Sequence, residues 1–144
     1  EEMGVGYYLR TTIDEYTDHG YFSVSLGVDS SRFVEVIEAT LRECEILRTE
    51  LVTKSELEKA KEYLIGNTIL SLESSDAVAE YFAMQDITGE EITNVDKLIQ
   101  KIRKVTPEDV RRVAKEIFAN DRLVLGVVGP VKETESLKRA FRFK

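Results

Sequence analysis

The side chains that could do chemistry are few. The single histidine, His19, stands in the polar stretch Asp14-Glu15-Tyr16-Thr17-Asp18-His19-Gly20. With no second histidine and no nearby cysteine it lacks partners for a metal, and an exposed turn histidine is expected. No Gly-x-Ser-x-Gly nucleophile turn occurs, and Gly4-Val5-Gly6 lacks both the third glycine and the following helix of a dinucleotide loop. The carboxylates of Glu90-Glu91 and of Glu43, Glu45 and Glu50 read as solvated helix surface, not as acid/base pairs. The lone cysteine, Cys44, lies on an apolar helical stripe and reads as a buried, inert thiol. What remains is aromatic. Tyr7 and Tyr8 are neighbours on one predicted strand, flanked by Gly4 and Gly6, which let another backbone approach. A partner strand or peptide could add there; sheet packing with satisfied hydroxyls is the competing explanation.

The elements that must position these residues are legible from period and punctuation. Val5, Tyr7, Leu9, Thr11 and Ile13 alternate with Tyr8, Arg10 and Thr12, and Phe22, Val24, Leu26 and Val28 alternate with Tyr21, Ser23, Ser25 and Gly27. Period-two alternation predicts two half-buried strands joined by the polar turn. Helices are predicted at about residues 31–50, with Glu38 and Arg42 paired, and from the capping box Thr53–Glu56 onward, with Leu57, Ala60, Leu64, Asn67/Thr68 and Leu72 on its stripe. Gly66 inside that helix predicts a close crossing by another element. Further helices are expected at about 76–87, stopped by Gly89, from Thr93-Asn94, and from Thr106-Pro107, where proline at the first helical position costs nothing. Val110, Val113, Ala114, Ile117 and Phe118 are the inward face of the last of these. The apolar run from Arg122 to Val128 predicts a central strand covered on both faces, and the tail allows one or two helical turns before Phe141 and Phe143. The order strand–strand, helices, strand predicts an α+β fold, an antiparallel-dominated sheet with helices packed on one side, as a single domain over residues 1–144 that is incomplete at its N-terminus.

The chain has 144 residues and a net charge of −7, with 42% hydrophobic and 33% charged residues, as in soluble globular domains. All the excess negative charge falls in residues 1–72. An acidic chain without interleaved basic and aromatic residues predicts neither nucleic acid nor membrane as a partner. No apolar run reaches the roughly 18 residues of a membrane span and no export signal is legible. A soluble cytoplasmic or periplasmic protein is expected.

Several segments resemble one family in order. Glu1-Glu2-Met3-Gly4-Val5-Gly6-Tyr7 resembles the Arg-Glu-x-x-Gly-Leu-x-Tyr stretch of the pitrilysin/insulinase-type zinc metallopeptidases, the group that includes mitochondrial processing peptidase. Tyr16-Thr17-Asp18-His19-Gly20-Tyr21-Phe22 is similar to its Tyr-Ser-Asp-x-Gly-x-Phe turn, and residues 53–61 to its Thr-x-x-Glu-Leu-x-x-Ala-Lys helix start. Leu70 to Ser74, Val105 to Val110 and Leu125 to Pro130 match its bend, closing helix and closing strand.

The resemblance implies two homologous halves around a chamber, the first carrying His-x-x-Glu-His and a distant glutamate on zinc. One histidine cannot supply that motif. The chain therefore resembles the non-catalytic second half, with no catalytic and no metal residue of its own, zinc bound outside the segment, and a zinc-bearing half and a peptide as partners. A homodimer is compatible with the same arrangement. The family's arginine would fall one residue before Glu1, so only Tyr7 of the Arg/Tyr pair carries over, as a substrate contact. Met3 stands where the family is often basic. The alternative implied is an inactive structural or partner subunit of a processing-peptidase-like complex.

Overall fold

The computed structural model describes residues 6–89, 91–130 and 134–143. Val5, Glu90 and the start of the tail at Val131, all named above, lie outside the described residues. The chain divides into two compact units, residues 1–50 with 111–144, and residues 51–110.

The first unit opens with a two-stranded antiparallel sheet of β1 (Gly6–Glu15) and β2 (Gly20–Val28). Leu9, Thr11 and Ile13 stand opposite Leu26, Val24 and Phe22, as alternation predicts. The other face is polar, and the Thr12 and Ser23 hydroxyls hydrogen-bond across it at 2.6 Å. Helix α1 (Phe33–Thr49) follows an aspartate turn in which Asp29 accepts from the Ser31 backbone and hydroxyl. Its ion pairs are Arg32–Glu35 and Arg48–Glu45; the expected Glu38–Arg42 pair is not formed among the described residues. Val36 and Leu41 are its buried positions.

The unit's aromatic core joins distant segments. The Phe118 ring meets Phe22 edge-on at 5.4 Å and Phe143 at 6.2 Å. Arg48 lies over the Phe143 ring at 4.9 Å, a cation–π contact. Asn120, in a single 3-10 turn (Asn120–Arg122), accepts from the Phe143 amide at 2.7 Å and donates to its carbonyl at 3.2 Å. One side-chain amide thus imitates a rung of a β-ladder and fixes the tail.

The run after this turn departs from expectation. Residues 123–128 form no regular element and pair with no strand among the described residues, and Val124 is 91% exposed. A strand's backbone groups require a neighbour, and apolarity alone does not provide one.

In the second unit, the Thr53–Glu56 capping box forms as expected and starts α2 (Lys54–Ser71). The buried face of α2 is Leu57, Lys61 and Ile65; the expected row through Ala60 and Leu64 is exposed. Lys61 decides this. Its ammonium pairs with Glu58 at 2.8 Å and donates to the Arg103 carbonyl at 3.1 Å. That carbonyl is among the last of α4 (Val95–Lys104), where no helical partner remains. A buried charge needs such partners, and the lysine stem supplies apolar cover. Gly66 contradicts its predicted crossing: a Cβ there would meet nothing within 4 Å among the described residues.

Ser74 caps α3 (Ser75–Thr88), Gly89 ends it in the left-handed conformation at φ 72°, and Asn94 caps α4. A polar knot fixes the connection between them. Thr93 donates its amide to Gln85 at 2.6 Å, and its carbonyl accepts from the Tyr81 hydroxyl at 2.9 Å. Thr106 and Asp109 reciprocate as a capping pair at the start of α5 (Pro107–Ile117).

Ala114 is the buried position of α5, whereas Val113 and Ile117 of its expected inward face are 38% and 43% exposed. The tail forms α6 (Thr134–Ala140), which lies against α1. Helices and a small antiparallel sheet together make the chain α+β.

Candidate functional site

Tyr7 is set apart by the register of the sheet. Gly6 stands opposite Val28 and Tyr8 opposite Gly27, so β1 fits one more residue than β2 between these pairs. Tyr7 is that extra residue. A β-bulge of this kind bends the strand and re-aims a side chain, and bulges recur beside functional sites. Tyr7 is 84% exposed. Strict alternation would have set it in line with Leu9 and Ile13; the bulge removes it from that series.

Its surroundings suit an extended ligand. The sheet contains two strands, so the β1 edge away from β2 has no ladder partner among the described residues. Leu9 and Ile13 on β1 are also exposed. Tyr8 behaves differently from Tyr7: its ring lies against Gly27, where an added Cβ would collide with Cε1 and lie 2.6 Å from Cδ1. Sequence reading missed the bulge. The available signal was the pair of glycines, Gly6 and Gly27, at the same end of adjacent strands.

The far end of the hairpin holds His19, exposed as expected. Its ring stacks on Tyr16 at 4.6 Å, and its Nδ1 lies 2.6 Å from an Asp18 carboxylate oxygen. The Tyr16 hydroxyl, followed by the Asp14 carboxylate, pushes the Tyr21 phenol above its ordinary value. This is a stacked aromatic turn whose one imidazole is engaged by Tyr16 and Asp18.

Other candidates resolve as structure. Burial, helped by the neighbouring Glu43 charge, raises the Cys44 thiol above its ordinary value, away from the reactive thiolate. Glu43, Glu50 and Glu91 are exposed, and Glu45 is taken by Arg48. A depression of about 340 Å³ in the second unit is lined by Tyr81, Gln85, Glu91, Thr93, Leu98 and Lys101. Tyr81, Gln85 and Lys101 all reach Thr93, so its polar groups hold the fold together. Among the described residues no three His, Cys, Asp or Glu side chains are placed to hold a metal ion. No helix among them is long and apolar enough to cross a membrane.

Residues 1–64 match the family model described as the Peptidase M16 inactive domain. By this match and by its relatives the chain is similar to the pitrilysin-type M16 peptidases. The matched model is that of the inactive domain, which supports the likeness to a non-catalytic half that the motifs implied. Similar proteins include an uncharacterized zinc protease of Streptomyces coelicolor, 29% identical over 136 residues, covering 94% of this chain and 29% of that protein. The beta subunit of human mitochondrial-processing peptidase is 27% identical over 124 residues, covering 86% and 25% respectively. The chain thus spans less than a third of the length of either relative. The fold is also that of a chain of Complex III2 from Candida albicans with Inz-5 bound, with a TM-score of 0.68 and 17% identity, over 75% of this chain and 26% of that one.

Proposed function

We propose that this segment is part of the wall of a peptide-cleaving chamber and positions an extended peptide, while zinc and the general base belong to another, homologous half. Residues 1–144 are then one partial domain of that wall. The observation that carries the reading is Tyr7, displaced by the bulge to 84% exposure beside an unpaired strand edge. A peptide added along that edge would gain main-chain hydrogen bonds there. The Tyr7 phenol would donate to a substrate carbonyl or to the oxyanion that forms from it. Donors aimed at a developing oxyanion contribute about 100- to 1000-fold in rate.

The relatives named as zinc proteases support zinc in the assembled enzyme. The single histidine of residues 1–144 cannot supply a His-x-x-Glu-His motif, which is the reason for placing zinc in the other half. Stoichiometric zinc kept by this segment after dialysis would overturn that placement. The test of the site is peptide hydrolysis by the full-length polypeptide together with its zinc-bearing half. Tyr7→Phe is expected to lower kcat about 100-fold, roughly 2.7 kcal/mol. An unchanged rate would remove Tyr7 from the mechanism.

A second reading, a non-catalytic partner subunit, draws support from the human relative, which is itself a subunit. A His-x-x-Glu-His motif on the same polypeptide would decide against it.

A further inference from the structure

We propose that Tyr8 and Gly27 form a clamp that fixes the bulge and thereby aims Tyr7, making Tyr8 a positioning residue. The inference rests on the reading of Tyr7 as a substrate contact. It begins from an ambiguity that the sequence leaves open. Tyr7 and Tyr8 carry identical side chains on consecutive residues of one strand. Only one of them can take the seat opposite Gly27, and the other is left as the extra residue. The remaining pairing is the same in either case, because Leu9 stands opposite Leu26 and the register is regular from there to Glu15 opposite Gly20. The outer sheet therefore does not choose between the two tyrosines.

The choice is made at Gly27. With no side chain, it leaves a space on the sheet surface that an aromatic ring can cover, an arrangement that shields the glycine backbone and pins strand register. The Tyr8 ring fills it so closely that even a methyl group at position 27 would overlap Cε1. Gly27 is half-buried, as are Leu26 and Val28 beside it, and Tyr8 is 59% exposed against 84% for Tyr7. Once Tyr8 is seated, Tyr7 cannot fold back onto the sheet. Its direction is set by its neighbour.

The experiment uses the full-length polypeptide with its zinc-bearing half, labelled with [2-13C]glycine, and follows the Gly27 Hα resonance beside kcat and KM. A ring seated on Gly27 shifts that resonance upfield in the unmodified protein. Tyr8→Phe keeps the ring, the shift and the rate. Tyr8→Ser loses the shift and lowers kcat by up to about 100-fold, as misplacement of a catalytic contact does, with KM little changed. Gly27→Ala expels the ring while leaving both tyrosines in place and gives the same two changes. In a Tyr7→Phe background, Tyr8→Ser causes no further fall, because both act through one contact. A Gly27 resonance without an upfield shift in the unmodified protein overturns the clamp. So does a Tyr8→Ser loss of equal size with and without the Tyr7 hydroxyl. Full activity of Tyr7→Phe alone instead overturns the substrate-contact reading, and the Gly27 resonance still reports on the clamp.

Discussion

The β1–β2 hairpin and the α2–α4 helix pair solve the same problem with unequal completeness. The helix pair closes its own backbone. Thr53 and Glu56 cap the start of α2, Asn94 caps α4, and Lys61 reaches across to a terminal carbonyl of α4. The hairpin leaves one edge of each strand without a ladder partner among the described residues and keeps Tyr7, Leu9 and Ile13 in the open. The difference follows from where hydrogen bonds are made. A helix satisfies nearly all of its backbone within itself, so caps and one lysine finish it. A strand satisfies only half on each side and stays receptive. On the proposed reading, this incomplete edge is where an extended peptide adds.

That contrast can be broken at several points. The largest structural effect is expected from Lys61→Met, which keeps an apolar stem but takes the donor from the Arg103 carbonyl and ends the ion pair with the exposed Glu58. A loss of about 1–3 kcal/mol is expected in chemical denaturation; a neutral result would mean that the helix pair does not depend on its closing lysine. Asn120→Ala tests how the hairpin side is anchored, since it removes both hydrogen bonds to Phe143. We expect about 1–2 kcal/mol of destabilisation and faster hydrogen exchange at the Phe143 amide. Exchange that stays slow would show the Phe118–Phe143 contact to be sufficient. Gly66→Ala should stabilise by about 1 kcal/mol, because alanine is the better helix former and the space is open. A lower melting temperature in the assembled protein would reveal an element packed on α2 at that point.

The smallest effect is in the pH profile. Asp29, held by Ser31, Glu35, held by Arg32, and Glu56, held by Thr53, all lie below their ordinary carboxyl values. Groups depressed in the folded state stabilise it above their unfolded values, and that contribution is lost as pH falls through the folded ones. Because these carboxylates are exposed, the loss is small. It is expected as a shallow decline in melting temperature below about pH 4.5, weakened further in Glu56→Gln. A profile flat down to pH 2 would show the caps to be unimportant.

The sequence alone determined what depends on neighbours within a few residues. Capping boxes, the glycine stop at Gly89, the Asn94 and Ser74 caps and the hairpin turn all follow from hydrogen bonds that close over two to four positions, and helix starts are accordingly legible to within a residue or two. So is the alternation that pairs Leu9, Thr11 and Ile13 with Leu26, Val24 and Phe22. Tertiary structure decided what depends on a distant partner. It chose Lys61 over Ala60 and Leu64 for the buried row of α2, tied Phe143 to Asn120, left residues 123–128 without a ladder and put Tyr7 outside the register. Each of these turns on which atoms from remote parts of the chain arrive at one place. A periodic pattern reports only the faces a segment could bury, and its partner determines which face it does bury.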